Sequence, residues 1–179
     1  MAAALLSVSV ANVIRAGAVP GADMRRPDEV LAKLNDAFQS EHHGERFFTI
    51  WYGVYHCASR TMTWAGGGHP PSIVLVPGEP NPLLLRSSGV MLGVMRDAGF
   101  PARSCQIPAG ARLLIFSDGV FEIFRDGRAA WNLDACIAYM AALGDRQESV
   151  MNELLQHVYH LHGSPRLEDD FSIIEARFR

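Results

Sequence analysis

An α+β fold, with antiparallel strands gathered in the middle of the chain and helices before and after them, is predicted by three features of the sequence. Apolar residues recur at helical spacing up to Phe38, short runs rich in β-branched and aromatic residues fill 47–116, and helical spacing returns only from Leu133. Helices segregated from a block of strands point to α+β layering, whereas a doubly wound parallel sheet requires strand and helix to alternate.

Residues 2–15 read as a helix rich in Ala and Leu that stops near Gly17, and a loop bearing Gly and Pro carries the chain to Arg26. Pro27 suits the first turn of the next helix. Asp28 and Glu29 favour its positive end, and Val30, Leu31, Leu34 and Phe38 supply a core face. From Phe47 the period changes: Phe48, Ile50, Tyr52, Val54 and then Met62, Trp64 lie in β-rich runs joined by 58–61, the pattern of a hairpin. Further strands are expected at 72–76, 83–86, 102–107, 112–116 and 171–178. Helices are expected at 133–143 and 148–161, between the last two strands. No internal repeat, low-complexity tract or linker interrupts this order. At 179 residues and 49% hydrophobic, the chain suffices for one substantial core, so 1–179 is expected to be a single domain.

Composition excludes several classes of function. The net charge is −3 and the basic residues are scattered, which lacks the footprint of a nucleic-acid binder. Cys57, Cys105 and Cys136 stand far apart, which argues against a zinc site or a disulfide framework and fits core residues in a reducing cytoplasm. Residues 2–14 are apolar enough to imitate a secretion signal. They lack a basic leading segment, and Ser7, Ser9 and Asn12 interrupt the run. No segment is long and apolar enough to span a membrane, and a cytoplasmic location is expected.

The chemistry is carried by two acidic motifs, each at the mouth of an apolar strand: Ser117-Asp118-Gly119 after 112–116, and Asp169-Asp170 before 171–178. Carboxylates cluster at strand ends where their repulsion is offset, and a hard divalent cation is a common way to offset it. That favours metal-assisted hydrolysis. The plainer alternative is that Asp-Gly is a common turn dipeptide and paired aspartates often belong to a solvated loop. His69 lies in a constrained loop between Gly66-Gly67-Gly68 and Pro70-Pro71, and tempts as a general acid. His157 and His160 share a helix face but have no acidic partner placed between them. With His162 they read as a polar helix end, and His42-His43 beside Gly44 reads as loop. Neither a Cys-x5-Arg loop nor a Gly-x4-Gly-Lys-Ser/Thr loop occurs.

Four segments in fixed order carry a family resemblance: Gly68-His69-Pro70-Pro71, Gly89-Val-Met-Leu-Gly93, the stretch Ile107-Pro-Ala-Gly-Ala-Arg-Leu-Leu-Ile-Phe-Ser-Asp-Gly-Val-Phe-Glu122, and Asp169-Asp-Phe-Ser-Ile-Ile174. Together they resemble the PPM-type metal-dependent serine/threonine phosphatases, in the bacterial branch typified by the sporulation phosphatase SpoIIE and the stress-response phosphatase RsbU. The resemblance covers nearly the whole chain. It implies an antiparallel β-sandwich flanked by helices, with metals at one end between the sheets. In this branch the helix matching residues 1–7 normally follows an Asp-x-Ser-Gly-His-Gly segment whose aspartate bridges two metals. The sequence begins just after that point, so it is expected to be the C-terminal part of such a domain, without its first strands.

By resemblance Asp118 and Asp169 are catalytic metal ligands, and Gly119 permits the turn that aims Asp118 at the metal. Asp170 either orients Asp169 or a water, or caps the turn into the last strand. His69 becomes a structural signature of the fold. The implied cofactor is Mn²⁺ or Mg²⁺, as two ions about 3.5–4 Å apart that activate water for in-line attack on phosphorus. Two departures stand out. Pro108-Ala-Gly-Ala111 lacks a turn carboxylate, which bears on stability, and Phe121-Glu122 places a bulky apolar group near the site, with Glu122 either holding a water or lying on the surface. The implied substrate is a phosphorylated regulatory protein, usually an anti-sigma factor antagonist, under control of a sensor or receiver domain. Two other readings stay open, a phosphatase-like module that binds its partner without turnover and a hydrolase of small phosphoesters. With only two confident carboxylate ligands, the chain alone is expected to show little or no activity, and bared sheet edges favour self-association, including a homodimer.

Overall fold

The computed structural model describes residues 2–17, 19–39, 47–125, 127–143, 149–167 and 169–179. In chain order the elements are α1 (Ala2–Arg15), α2 (Pro27–Ala37), β1 (Ile50–His56), β2 (Thr61–Gly67), β3 (Ser72–Leu75), β4 (Leu83–Leu85), β5 (Arg103–Gln106) and β6 (Arg112–Phe116). A 3₁₀ turn (Asp118–Val120) follows, then β7 (Phe124–Arg125), β8 (Arg128–Ala129), α3 (Leu133–Ala142), α4 (Val150–His162) and β9 (Ile173–Arg177). The chain divides into two compact units, one formed by 1–69 and 86–107, the other by 70–85 and 108–179.

The first unit sets α1 and α2 with an antiparallel sheet of order β1-β2-β5. Pro27 occupies the first turn of α2, and Arg26 pairs with both Asp28 and Glu29 there, each at 2.9 Å. The expected face of α2 is the observed one: Val30, Leu31 and Leu34 are fully buried, in a cluster with Phe38, Ala65, Leu92 and Phe100. Asn35 joins them as a buried polar residue. Its side-chain amide donates to the Met95 carbonyl at 3.1 Å and its Oδ1 accepts from the Gly93 N–H at 2.9 Å, so both ends of the amide are satisfied. This clamp and the Phe48–Leu92 bridge fasten the 89–95 loop. The hairpin turn comprises 57–60, with Thr61 already in β2 and Arg60 at φ 51°, one residue earlier than its sequence suggests. Cys57 lies exposed in that turn, which corrects its assignment to the core. Cys105 is half-buried, and Cys136 is buried, its thiol pushed up to about 12 by desolvation.

The second unit is an antiparallel sheet of order β4-β3-β6-β9. Ile73, Leu75, Leu114 and Phe116 face one way and pack with Cys136, Met140, Val150, Leu154 and Val158 of α3 and α4. Asn132 caps α3 by accepting from the Ala135 N–H at 3.0 Å. Ser149 caps α4 from the Met151 N–H at 3.3 Å, and Gly163 ends α4 at φ 80°, where a side chain would be strained. The strand expected at 112–116 is β6 to the residue, and that expected at 171–178 begins two residues late. Residues 42–44 and the first residue of the helix expected at 148–161 lie outside the described residues. The 3₁₀ turn and the β7–β8 hairpin were not legible in the sequence, since two-residue strands show no periodicity. The antiparallel α+β class is as expected. Among the described residues no helix is long and apolar enough to cross a membrane.

Candidate active site

Because β6 and β9 are antiparallel neighbours, the residue leaving β6 and the residues entering β9 fall at the same end of the sheet. The ladder runs from Arg112↔Arg177 to Phe116↔Ile173, and Ser117 continues it. The Ser117 N–H donates to the Ser172 carbonyl at 3.0 Å, and the Ser172 N–H donates to Ser117 Oγ at 3.0 Å. The Ser117 hydroxyl in turn donates to the Asp170 carbonyl at 2.7 Å. One serine thus stitches the two acidic motifs together. Sequence reasoning passed over it, although a hydroxyl residue directly between a strand and an aspartate was the available signal.

Gly119 is needed for a reason other than turn geometry. It is buried, its φ is not positive, and a Cβ there would lie 2.6 Å from the Asp170 carbonyl oxygen and 3.0 Å from its carbon. The absence of a side chain lets the 169–170 backbone close on the 3₁₀ turn. That turn is tied by the Asp118 carbonyl, which accepts from the N–H groups of Phe121 at 2.9 Å and Glu122 at 2.8 Å.

Asp118, Asp169 and Asp170 are all exposed at this end. Asp118 Oδ1 accepts from the Gly119 N–H at 3.1 Å and Asp169 Oδ1 from the Asp170 N–H at 2.7 Å. In each case one carboxylate oxygen is held by the N–H of the next residue. Among the described residues no Lys, Arg or His forms an ion pair with any of the three. Exposed oxygen donors without a protein cation suit a hard divalent ion in kind. In number they fall short: among the described residues no group of three or more His, Cys, Asp or Glu side chains is placed to hold a metal.

The remaining sequence candidates separate. Glu122 is exposed. Phe121, expected as a bulky apolar group near the site, is turned into the core, 9% exposed and edge-on to Phe116 at 6.1 Å. His69 is half-buried just after β2, in the first unit. The glycines before it are demanded by close approach: Gly68 donates to the Gly89 carbonyl at 2.9 Å, and a Cβ at Gly67 would lie 2.7 Å from the Val90 carbonyl oxygen. His157 stacks on Tyr139 at 4.1 Å and meets Trp131 edge-on at 5.0 Å. Burial, and then the nearby His160, pull its pKa below the ordinary value. A shallow pocket of about 440 Å³ beside it is lined by Tyr139, Asn152, Glu153, Gln156 and His157, and shares no residue with the acidic site.

The chain thus presents three exposed carboxylates at one sheet end of an antiparallel α+β fold. The family model of Stage II sporulation protein E (SpoIIE) matches residues 1–179, and the chain belongs to that family. It is 27% identical over 96 residues to the phosphoserine phosphatase RsbU of Bacillus subtilis, a match covering 54% of this chain and 29% of RsbU. Among solved structures, the SiaA PP2C domain of Pseudomonas aeruginosa superposes with a TM-score of 0.73 at 15% identity, covering 99% of this chain and 68% of that one. The manganese-presoaked phosphatase domain of SpoIIE from Bacillus subtilis gives 0.56 at 16% identity, covering 83% and 63%. The fold is therefore PP2C-like, and the chain spans less than a third of RsbU's length.

Proposed function

We propose that this chain contributes to the hydrolysis of phosphoserine or phosphothreonine on a regulatory protein, with Asp118 and Asp169 as metal ligands and Asp170 as a third, weaker candidate. The observation that carries the reading is the stitching of both acidic motifs to one sheet end through Ser117 and Gly119. Family membership supports it, as do the name of RsbU and the manganese used with SpoIIE. Mn²⁺ or Mg²⁺, bound by these aspartates, would supply an activated water and neutralise phosphoryl oxygens. The chain's own residues fix the carboxylates: Ser117 holds the two motifs in register and the 3₁₀ turn holds Asp118. Gly119 keeps the approach of 169–170 close, while Glu122 and His69 are supporting residues.

The substrate we favour is a phosphorylated anti-sigma factor antagonist in bacterial signalling, in the cytoplasm, under control of a sensor or receiver domain, with a homodimer as the assembly. A second reading, a phosphatase-like module that binds its partner without turnover, is favoured by one observation, the lack of a three-ligand group among the described residues. Mn²⁺-dependent release of phosphate from a phosphoserine peptide tests both, run on the 179-residue chain and on the gene product that contains it. Turnover confined to the gene product supports the phosphatase. Inactivity of both supports the binding module.

A further inference from the structure

Leaving the acidic site, the chain passes Glu122, anchors Ile123 in the core at 4% exposure, and turns outward as the β7–β8 hairpin. The hairpin closes back on its anchor, for the N–H groups of Ala130 and Trp131 both donate to the Ile123 carbonyl, at 2.8 and 3.3 Å. Its register places Arg125 directly opposite Arg128 and Phe124 opposite Ala129. All four are exposed, Phe124 at 49%. Like charges directly opposite on a two-stranded ribbon are destabilising, and Gly127 at φ 71° holds the turn that enforces the pairing. Arg25, Arg26, Arg112 and Arg177 pair with carboxylates. Among the described residues neither the Arg125 nor the Arg128 side chain makes an ion pair or hydrogen bond.

Chain length fixes how far this pair stands from the acidic site. Four residues of tight turn and three of extended chain separate Asp118 from Arg125, so their Cα atoms lie within roughly 20 Å. An extended peptide covers that span in about six residues. In a chain whose net charge is −3, cations beside the proposed reaction centre favour the approach of an anionic protein segment, beyond the phosphoryl group that a bound metal would neutralise.

We propose that the β7–β8 hairpin is a docking lip for the acidic, phosphorylated segment of a protein substrate, with Arg125 and Arg128 as its anion contacts. This rests on the phosphatase reading and adds a substrate preference to it: acidic residues up to about six positions from the phosphoserine. Arg125 also lies near the carbonyl end of α4, its guanidinium carbon 3.7 Å from where a Gly163 Cβ would be, so a helix-end role is its alternative use. Arg128, on β8, is the second probe.

The test is fluorescence anisotropy with a labelled twelve-residue peptide carrying one phosphoserine among Asp and Glu residues, at low and high salt. Beside it runs Mn²⁺-dependent turnover of p-nitrophenyl phosphate, a substrate too small to reach the lip. Arg125→Glu with Arg128→Glu, and Arg128→Glu alone, are expected to weaken the peptide by about tenfold and about threefold. The double Lys variant should bind within about threefold of the parent, because contacts of this exposed kind need charge more than a bidentate fork. Parent affinity should fall with salt. Unchanged affinity on charge reversal, or no saturable binding by the parent, overturns the lip. Charge-sensitive binding without turnover of the small substrate by the gene product that contains the chain keeps the lip and discards the phosphatase. Turnover with charge-insensitive binding does the reverse.

Discussion

The two ends of the β6–β9 pair use carboxylates in opposite ways. Glu175 stands opposite Leu114 at the middle of the ladder, and its side chain, 2% exposed, engages the arginines of the Arg112↔Arg177 end. Arg177 Nε reaches its Oε1 at 2.8 Å, Arg112 lies at 3.6 Å, and the hydroxyl of Ser149, the cap of α4, donates to Oε2 at 2.9 Å. Arg112 also reaches the Leu143 carbonyl just past α3, at 3.4 Å, so this network joins sheet to both helices. At the other end Asp118, Asp169 and Asp170 are exposed, and among the described residues no protein cation joins them. The lesson is one of allocation. Where a carboxylate serves the fold, the chain supplies the cation, and where none is supplied, a cation from solution is the natural partner.

Glu175→Ala should break the first end most severely. Removing the carboxylate leaves the buried Arg112 charge without its counter-ion, and about 3–5 kcal/mol of unfolding free energy should be lost in a urea titration. A loss below about 1 kcal/mol would mean the network is ornamental and the contrast unreal. Asp118→Asn and Asp169→Asn should act oppositely. In a form that turns over phosphoserine, each should cost at least about a hundredfold in Mn²⁺-dependent rate, with the metal-free melting temperature unchanged or slightly raised as like-charge repulsion falls. Mn²⁺ should raise the melting temperature of the parent and not of these variants. Retained activity would remove either residue from the ligand set.

Smaller effects should come from the stitching between the motifs. Gly119→Ala drives a methyl against the Asp170 carbonyl, and Ser117→Ala strips the Ser172 N–H of its acceptor. Each should cost about 1–3 kcal/mol and weaken Mn²⁺ together with stability, which separates them from the aspartate variants. The smallest effect is that of pH on the second unit. Burial, and then His160, hold the folded His157 below its ordinary 6.5, so the unfolded chain takes up the proton more readily. The stability tied to the Tyr139 stack is complete above that value and is lost as pH falls through the folded one. Between about pH 7 and 5 the melting temperature of His157→Gln should decline less than the parent's. Equal slopes would deny the stack any role.

Element identity was largely legible in the sequence because periodicity and caps are local. The Val30, Leu31, Leu34 and Phe38 stripe and the Pro27 start specified α2, and the apolar run 112–116 specified β6. Boundaries slipped by a residue or two where turns decided them, as at Cys57. The short elements after Asp118 escaped, since nothing periodic marks them. For the site, sequence alone singled out Asp118 and Asp169-Asp170 but assigned Gly119 to turn geometry and overlooked Ser117, because both act on a segment some fifty residues away in the chain.

The sequence by itself thus determined which segments are helices and strands, in what order, and which carboxylates stand at strand mouths. Only the tertiary structure decided that β6 lies beside β9, and that Ser117 and Gly119 lock one acidic motif to the other. It alone showed that arginines neutralise Glu175 but, among the described residues, not Asp118 or Asp169. The reason is physical: helix and strand preferences are settled between near neighbours, whereas strand pairing and the pairing of charges are settled between distant segments that meet only when the sheet forms.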